Sequence, residues 1–139
     1  MDKRITYFFA LLLFGCGQTI TPKDLHHLNG YWEIILVKFP DGGEKPYTIS
    51  TTIDYIVYED GKGFQKKVQP QLNGTFKTSN DAIAFTIISK DNSYFLRYEE
   101  EPTTREAQLV ELDKNILVMR NSEGLAYHYK RFEPFTTKP

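Results

Sequence analysis

Residues 28–39, Leu-Asn-Gly-Tyr-Trp-Glu-Ile-Ile-Leu-Val-Lys-Phe, give the strongest strand signal in the chain and carry its only Trp. The run is opened by Asn29-Gly30 and closed by Pro40-Asp41-Gly42-Gly43, the length and punctuation of a buried first strand rather than a helix. A period of two places Trp32, Ile34 and Leu36 on one face and Tyr31, Glu33, Ile35 and Val37 on the other, so the face holding Glu33 is expected to look outward. Residues 44–50 contain Pro46 and read as a loop or a poor edge strand. Residues 51–59 form the next strand, with Ile53, Tyr55 and Val57 together and Asp54 opposite.

The rest of the chain continues as short strands joined by local turns. Asp60-Gly61-Lys62-Gly63 turns into residues 64–69, whose Lys66 and Lys67 suggest an exposed arm that Pro70 ends. Asn73-Gly74 is a strong hairpin signal. Residues 82–89 alternate with Ile83, Phe85 and Ile87 on one side, and after Lys90-Asp91-Asn92 the strand 93–99 places Tyr94, Leu96 and Tyr98 together. A hairpin around Asp113-Lys114 joins 105–112 to 115–120, and the last strand, 124–132, has Tyr127, Tyr129 and Arg131 on one face. About eight or nine strands at this regular spacing favour an all-β, antiparallel up-and-down arrangement. An open meander would leave two bare edges, so the expected fold is a closed barrel. Between the strands no helical pattern exceeds two turns; a single turn over 22–27, starting at Pro22, would cap one end.

Composition narrows the function more than the fold. The 139 residues, 14% of them aromatic, suffice for one domain, placed at 29–133, with a disordered tail at 134–139. A formal charge of -1 and the lack of a basic face argue against nucleic-acid binding. Met1-Asp2-Lys3-Arg4 leads into the apolar run 5–14, which has the length of a signal-peptide core and is too short to span a bilayer. The next residues, Leu13-Phe14-Gly15-Cys16, resemble the lipobox of bacterial lipoproteins, with Phe14 bulkier than the usual occupant of its place. The resemblance implies a signal peptide at 1–15, acylation of Cys16, and an acylated tether at 16–28. A single Cys in an exported chain has no disulfide partner, so a covalent use explains its number and position. Each buried methylene of an acyl chain contributes about 0.8 kcal/mol to membrane attachment. The other reading is a plain secretory signal cleaved nearby, with Cys16 discarded.

Leu28-x-Gly30-x-Trp32, residues 109–112, the Asp113-Lys114-Asn115 turn, Ile116-Leu117-Val118 and the closing Gly124-x-x-Tyr127-x-Tyr129-Lys130-Arg131 resemble the lipocalin-like lipoproteins of Bacteroidetes-type bacteria. That resemblance implies a lipocalin-like (calycin) barrel in which Gly30 and Trp32 close one end and Arg131 packs over the indole. Gly17-Gln18 lacks an Asp after the cysteine and lacks an acidic run, which by resemblance to sorted lipoproteins implies an outer-membrane anchor with the domain facing the periplasm.

Chemistry is not evident in the residues. His26-His27 are adjacent and no Cys, Asp or Glu cluster joins them, so no metal site is expected. No Gly-x-Ser-x-Gly elbow and no phosphate loop occurs, so neither catalysis nor a cofactor is expected. Glu99-Glu100-Glu101 next to Pro102 reads as a hydrated loop. Two functions remain open. In the first, the barrel interior, lined by Tyr55, Phe85, Tyr94, Leu96 and Tyr127, holds a small apolar or amphipathic ligand. In the second, the barrel is packed solid and the protein is an envelope interaction module or inhibitor, with Tyr58, Phe64 and Phe95 as exposed anchors for a protein partner whose identity the sequence does not give.

Overall fold

The computed structural model describes residues 19–48, 52–78, 81–100 and 102–133. The leader expected at 1–15, Cys16 with the start of the tether, and the tail expected at 134–139 lie outside the described residues. A short 3-10 helix (Pro22–Leu28) precedes ten strands: β1 (Gly30–Lys38), β2 (Glu44–Pro46), β3 (Ile53–Glu59), β4 (Lys62–Pro70), β5 (Phe76–Thr78), β6 (Ile83–Lys90), β7 (Ser93–Glu99), β8 (Thr104–Leu112), β9 (Ile116–Asn121) and β10 (Ala126–Arg131).

Antiparallel pairing runs through β1, β3, β4, β6, β7, β8, β9 and β10, and β10 pairs back onto β1. The sheet therefore closes on itself and leaves no free edge among these staves. Chain order and spatial order agree, which is what short local turns enforce. Asp60 and Gly61 both take positive φ, 51° and 87°, as do Asp91 and Asn92, at 53° and 63°. Each pair makes a two-residue connection of the twisted kind that hairpins require. The two short strands extend broken staves. β2 pairs with the far half of β1 at Leu36–Pro46 through Lys38–Glu44, and β5 pairs with the far end of β4.

Two bulges decide which side chains face inward. Pairing between β1 and β10 shifts register between Ile34 and Leu36, so beyond that point Val37, not Leu36, stands opposite Tyr127. Strict alternation over 32–36 therefore fails at Leu36, because a bulge inserts one residue and swaps the faces. A second shift lies between Leu109 and Glu111 and lets both Leu109 and Leu112 reach the core.

The 22–28 segment is a structural part of the barrel rather than tether. Its Leu25 and Leu28 are buried at 5% and 0% exposure and join the core cluster with Trp32, Ile56, Phe85, Leu96, Leu109 and Leu117. Asp24 fixes its start, accepting hydrogen bonds from the Thr21 amide (2.8 Å) and hydroxyl (3.0 Å). Those bonds hold the Asp24 carboxyl below its usual range.

Candidate functional site

The interior divides into two halves. At the end covered by the 3-10 helix, Trp32 is fully buried and donates its indole N–H to the Leu28 carbonyl at 2.9 Å. The Arg131 guanidinium lies over the Trp32 ring, 3.9 Å from its centroid. Its donors reach three carbonyls: Asn29 at 2.6 Å, His27 at 2.9 Å and Lys114 at 2.9 Å. These acceptors come from the end of the helix and from the β8–β9 turn, so one side chain ties together the segments that cover this end. Burial lowers the Arg131 pKa from its ordinary value. Gly30 adopts φ +126°, and a Cβ there would stand 2.5 Å from Arg131 Nη1. Only glycine gives the backbone that curve while leaving room for the guanidinium.

At the opposite end the barrel is hollow. A half-open cavity of about 500 Å³ is lined by Asp54, Gln65, Lys67, Tyr98, Arg105 and Met119, and by Asn121, Tyr127 and Tyr129 with neighbours at the rim. The two alternatives left open by the sequence, packed or hollow, each describe one half of the interior.

Asp54 is the one charged residue buried among the described residues, at 3% exposure. Lys67 Nζ approaches its Oδ1 to 2.7 Å, an ion-pair distance, yet that oxygen accepts no hydrogen bond of acceptable alignment. Tyr129 lines the cavity with Asp54. Burial first, and then the Asp54 charge, pushes the Tyr129 phenol well above its ordinary value of 10, so it stays protonated. Tyr98 is likewise raised, chiefly by burial, and donates to Gln65 Oε1 at 2.6 Å. The Arg105 guanidinium lies 4.2 Å from the Tyr98 ring centroid and is held by Glu100 Oε2 through Nη2 (2.9 Å) and Nε (3.2 Å). Among the described residues no three His, Cys, Asp or Glu side chains gather where they could hold a metal ion.

Of the lining expected from the sequence, only Tyr127 borders this cavity. Phe85 and Leu96 face inward but belong to the packed half, at 1% and 0% exposure. Tyr94 packs beside that core and borders a separate shallow groove with Thr19 and Ile20. Tyr55 points out of the barrel. It stands opposite Tyr31 across the β1–β3 ladder, while Asp54 stands opposite Trp32 and so shares the inward face. The assignment reverses because the outside of β3 is itself covered. The rings of Phe64, Tyr55, Tyr31, Phe76 and Phe132 follow one another at centroid spacings of 6.2, 4.7, 4.2 and 6.3 Å, and an apolar face packed by aromatic neighbours looks the same in sequence as a core face.

The anchors expected for a protein partner are also redistributed. Tyr58 packs against the core, Phe64 sits at the end of the ring series, and Phe95 is covered by Lys90 Nζ at 4.8 Å. Among the described residues the exposed large apolar side chains are Phe39 and Leu72, single residues in different turns. The residues that sequence reasoning missed are Asp54, Gln65, Lys67, Tyr98, Arg105 and Tyr129. The one available signal was a lone carboxylate, Asp54, inside an otherwise apolar strand.

No protein-family model matches the chain, and no curated protein sequence matches it. A solved structure of a lipocalin-like protein from Bacteroides uniformis is similar at 12% identity and a TM-score of 0.47, over 76% of this chain and 99% of that one. The architecture stands on the chain's own strand pairing: eight antiparallel staves in up-and-down order, closed by β1 against β10. It is a closed, antiparallel up-and-down barrel.

Proposed function

We propose that this protein is a membrane-anchored envelope lipoprotein whose barrel binds a small amphipathic ligand in its open half. The observation that carries the binding role is the cavity of about 500 Å³. That size falls within the roughly 300 to 1,000 Å³ of pockets that hold small molecules. Its wall combines apolar surface from Ile83, Ala107 and Met119 with phenols, amides and charges, which suits a molecule with one greasy and one polar end. Binding rather than reaction is favoured by what the lining contains. Among the described residues the lining has no Ser, Thr, Cys or His for a nucleophile paired with a base, and Lys67 and Asp54 engage each other at 2.7 Å.

Anchoring rests on the leader at 1–15 and on Leu13-Phe14-Gly15-Cys16, and the outer membrane, with the barrel in the periplasm, on Gly17-Gln18. Native mass spectrometry of the protein drawn from its own envelope tests both parts. The expected spectrum shows a chain beginning at Cys16 with added acyl mass, together with a retained small molecule that collisional activation releases. A mature chain lacking Cys16 would end the anchoring proposal. Failure to retain or take up any amphiphile would end the binding one.

A further inference from the structure

The cavity wall holds a carboxylate whose surroundings only half satisfy it. Asp54 is 3% exposed, and its Oδ1 lacks an aligned hydrogen bond. The partner at 2.7 Å, Lys67, ends in a side chain that is 67% exposed. These facts describe one contact: close enough for an ion pair, poorly directed for a hydrogen bond, and made by a group that lives mostly in water. A buried carboxylate is stabilised best by a charged donor that shares its dry surroundings. Lys67 reaches it from the wet side.

We infer that the ligand's polar end is a protonated amine, and that this ammonium seats on Asp54 Oδ1 from within the cavity while Lys67 swings out to solvent. The inference rests on reading the cavity as a ligand site. Three features favour a cation over an anion. The Arg105 charge is already engaged by Glu100 and its face by Tyr98, so it offers little to a ligand carboxylate. Lys67 is matched by Asp54, and an anion placed at Lys67 would be repelled by the carboxylate beside it. Finally, Tyr127 and Tyr129 line the space, and aromatic rings attract cations rather than anions. Lys66 and Asp81 also line the cavity, with opposite charges. Releasing Lys67 loses only a pair that solvent already screens on one side. The ammonium that replaces it interacts with Asp54 where the effective dielectric is lower.

Isothermal titration calorimetry on the purified full-length protein with decylammonium, decanol and decanoate tests this. These probes share a chain and differ in head group. The expected order is decylammonium tightest, by about tenfold or more over both others, the scale of one well-made bond to a buried charge. Asp54→Asn should remove the preference for the amine over decanol, and Lys67→Met should increase it. Decanoate binding as tightly as the amine, or an Asp54→Asn protein that keeps the preference, overturns the inference. Should Asp54→Asn fail to fold, the wild-type ranking and Lys67→Met still decide. If decanol and decanoate bind with no preference for the amine, the inference falls and the cavity reading stands. If no head group carries its chain into the barrel, both fall.

Discussion

Asp54 stands directly opposite Trp32 on the β1–β3 ladder, so the carboxylate in the cavity wall and the indole in the closed end are cross-strand neighbours on one inward face. Cross-strand pairs of this kind sit about 4.5 to 5.5 Å apart at Cβ. The packed and hollow halves of the barrel thus meet between these two side chains.

The closed half should dominate stability. Trp32→Ala removes a fully buried indole, its hydrogen bond to Leu28 and the surface on which Arg131 lies. A loss of roughly 3 to 5 kcal/mol is expected in chemical denaturation. An unchanged midpoint would show that the helix end holds without the indole.

Arg131 and Gly30 should behave as a coupled pair. Arg131→Lys keeps the charge but cannot stack flat or reach three carbonyls from one planar group, and should cost about 1 to 3 kcal/mol. Gly30→Ala strains a positive φ and drives a methyl against Nη1. Because both changes disturb one contact, the double variant should lose less than the sum of the singles. Strict additivity of the unfolding free energies would refute the close approach between them.

Acid should reveal an outer ion-pair cluster. Glu106 receives Lys90 Nζ at 2.9 Å on Oε1 and Arg97 Nη2 at 2.9 Å on Oε2; the bond from Lys90 and then that from Arg97 hold its carboxyl below the ordinary value of 4.5. With the folded pKa depressed, the contribution is present above the ordinary value and is lost as pH falls through the lowered one. Melting temperatures of the native protein should drop more steeply than those of Glu106→Gln as pH is taken below about 4.5. Parallel curves would remove Glu106 from the account.

Alkali should act through the buried phenols. Tyr98 and Tyr129 are both raised above 10 by burial. The unfolded chain releases those protons near the ordinary value while the folded one retains them, so their contribution is complete below about pH 10 and declines as pH rises above it. Ultraviolet titration should show that part of the absorbance change from the nine tyrosines appears only together with unfolding. A single smooth titration of all of them in folded protein would contradict the burial of this pair.

The strands, their order and the closure were legible because turn residues mark the joins. Asp60-Gly61 and Asp91-Asn92 take the positive φ that their residue types permit, and local joins leave few topologies for a chain of this size. The faces were less legible. Alternation gives two sides but not which side is in, and at β3 the side bearing Ile53, Tyr55 and Val57 is apolar although it looks outward. The β1 bulge between Ile34 and Leu36 leaves no mark in an uninterrupted apolar run. Cys16 and the leader fall outside the described residues, so their reading still rests on the sequence alone.

The 3-10 helix at the plugged end also sets an orientation. Thr19 and Ile20 emerge there, beside Tyr94 and Leu109, and a chain from Cys16 to Thr19 spans at most about 10 Å. An acyl anchor at Cys16 would make the barrel stand on its stopper, its mouth turned away from the lipid toward the aqueous side. A photo-crosslinker placed at Asn92 should then capture phospholipid far more readily than one at Leu72, and equal capture would mean the barrel tumbles freely on its leash.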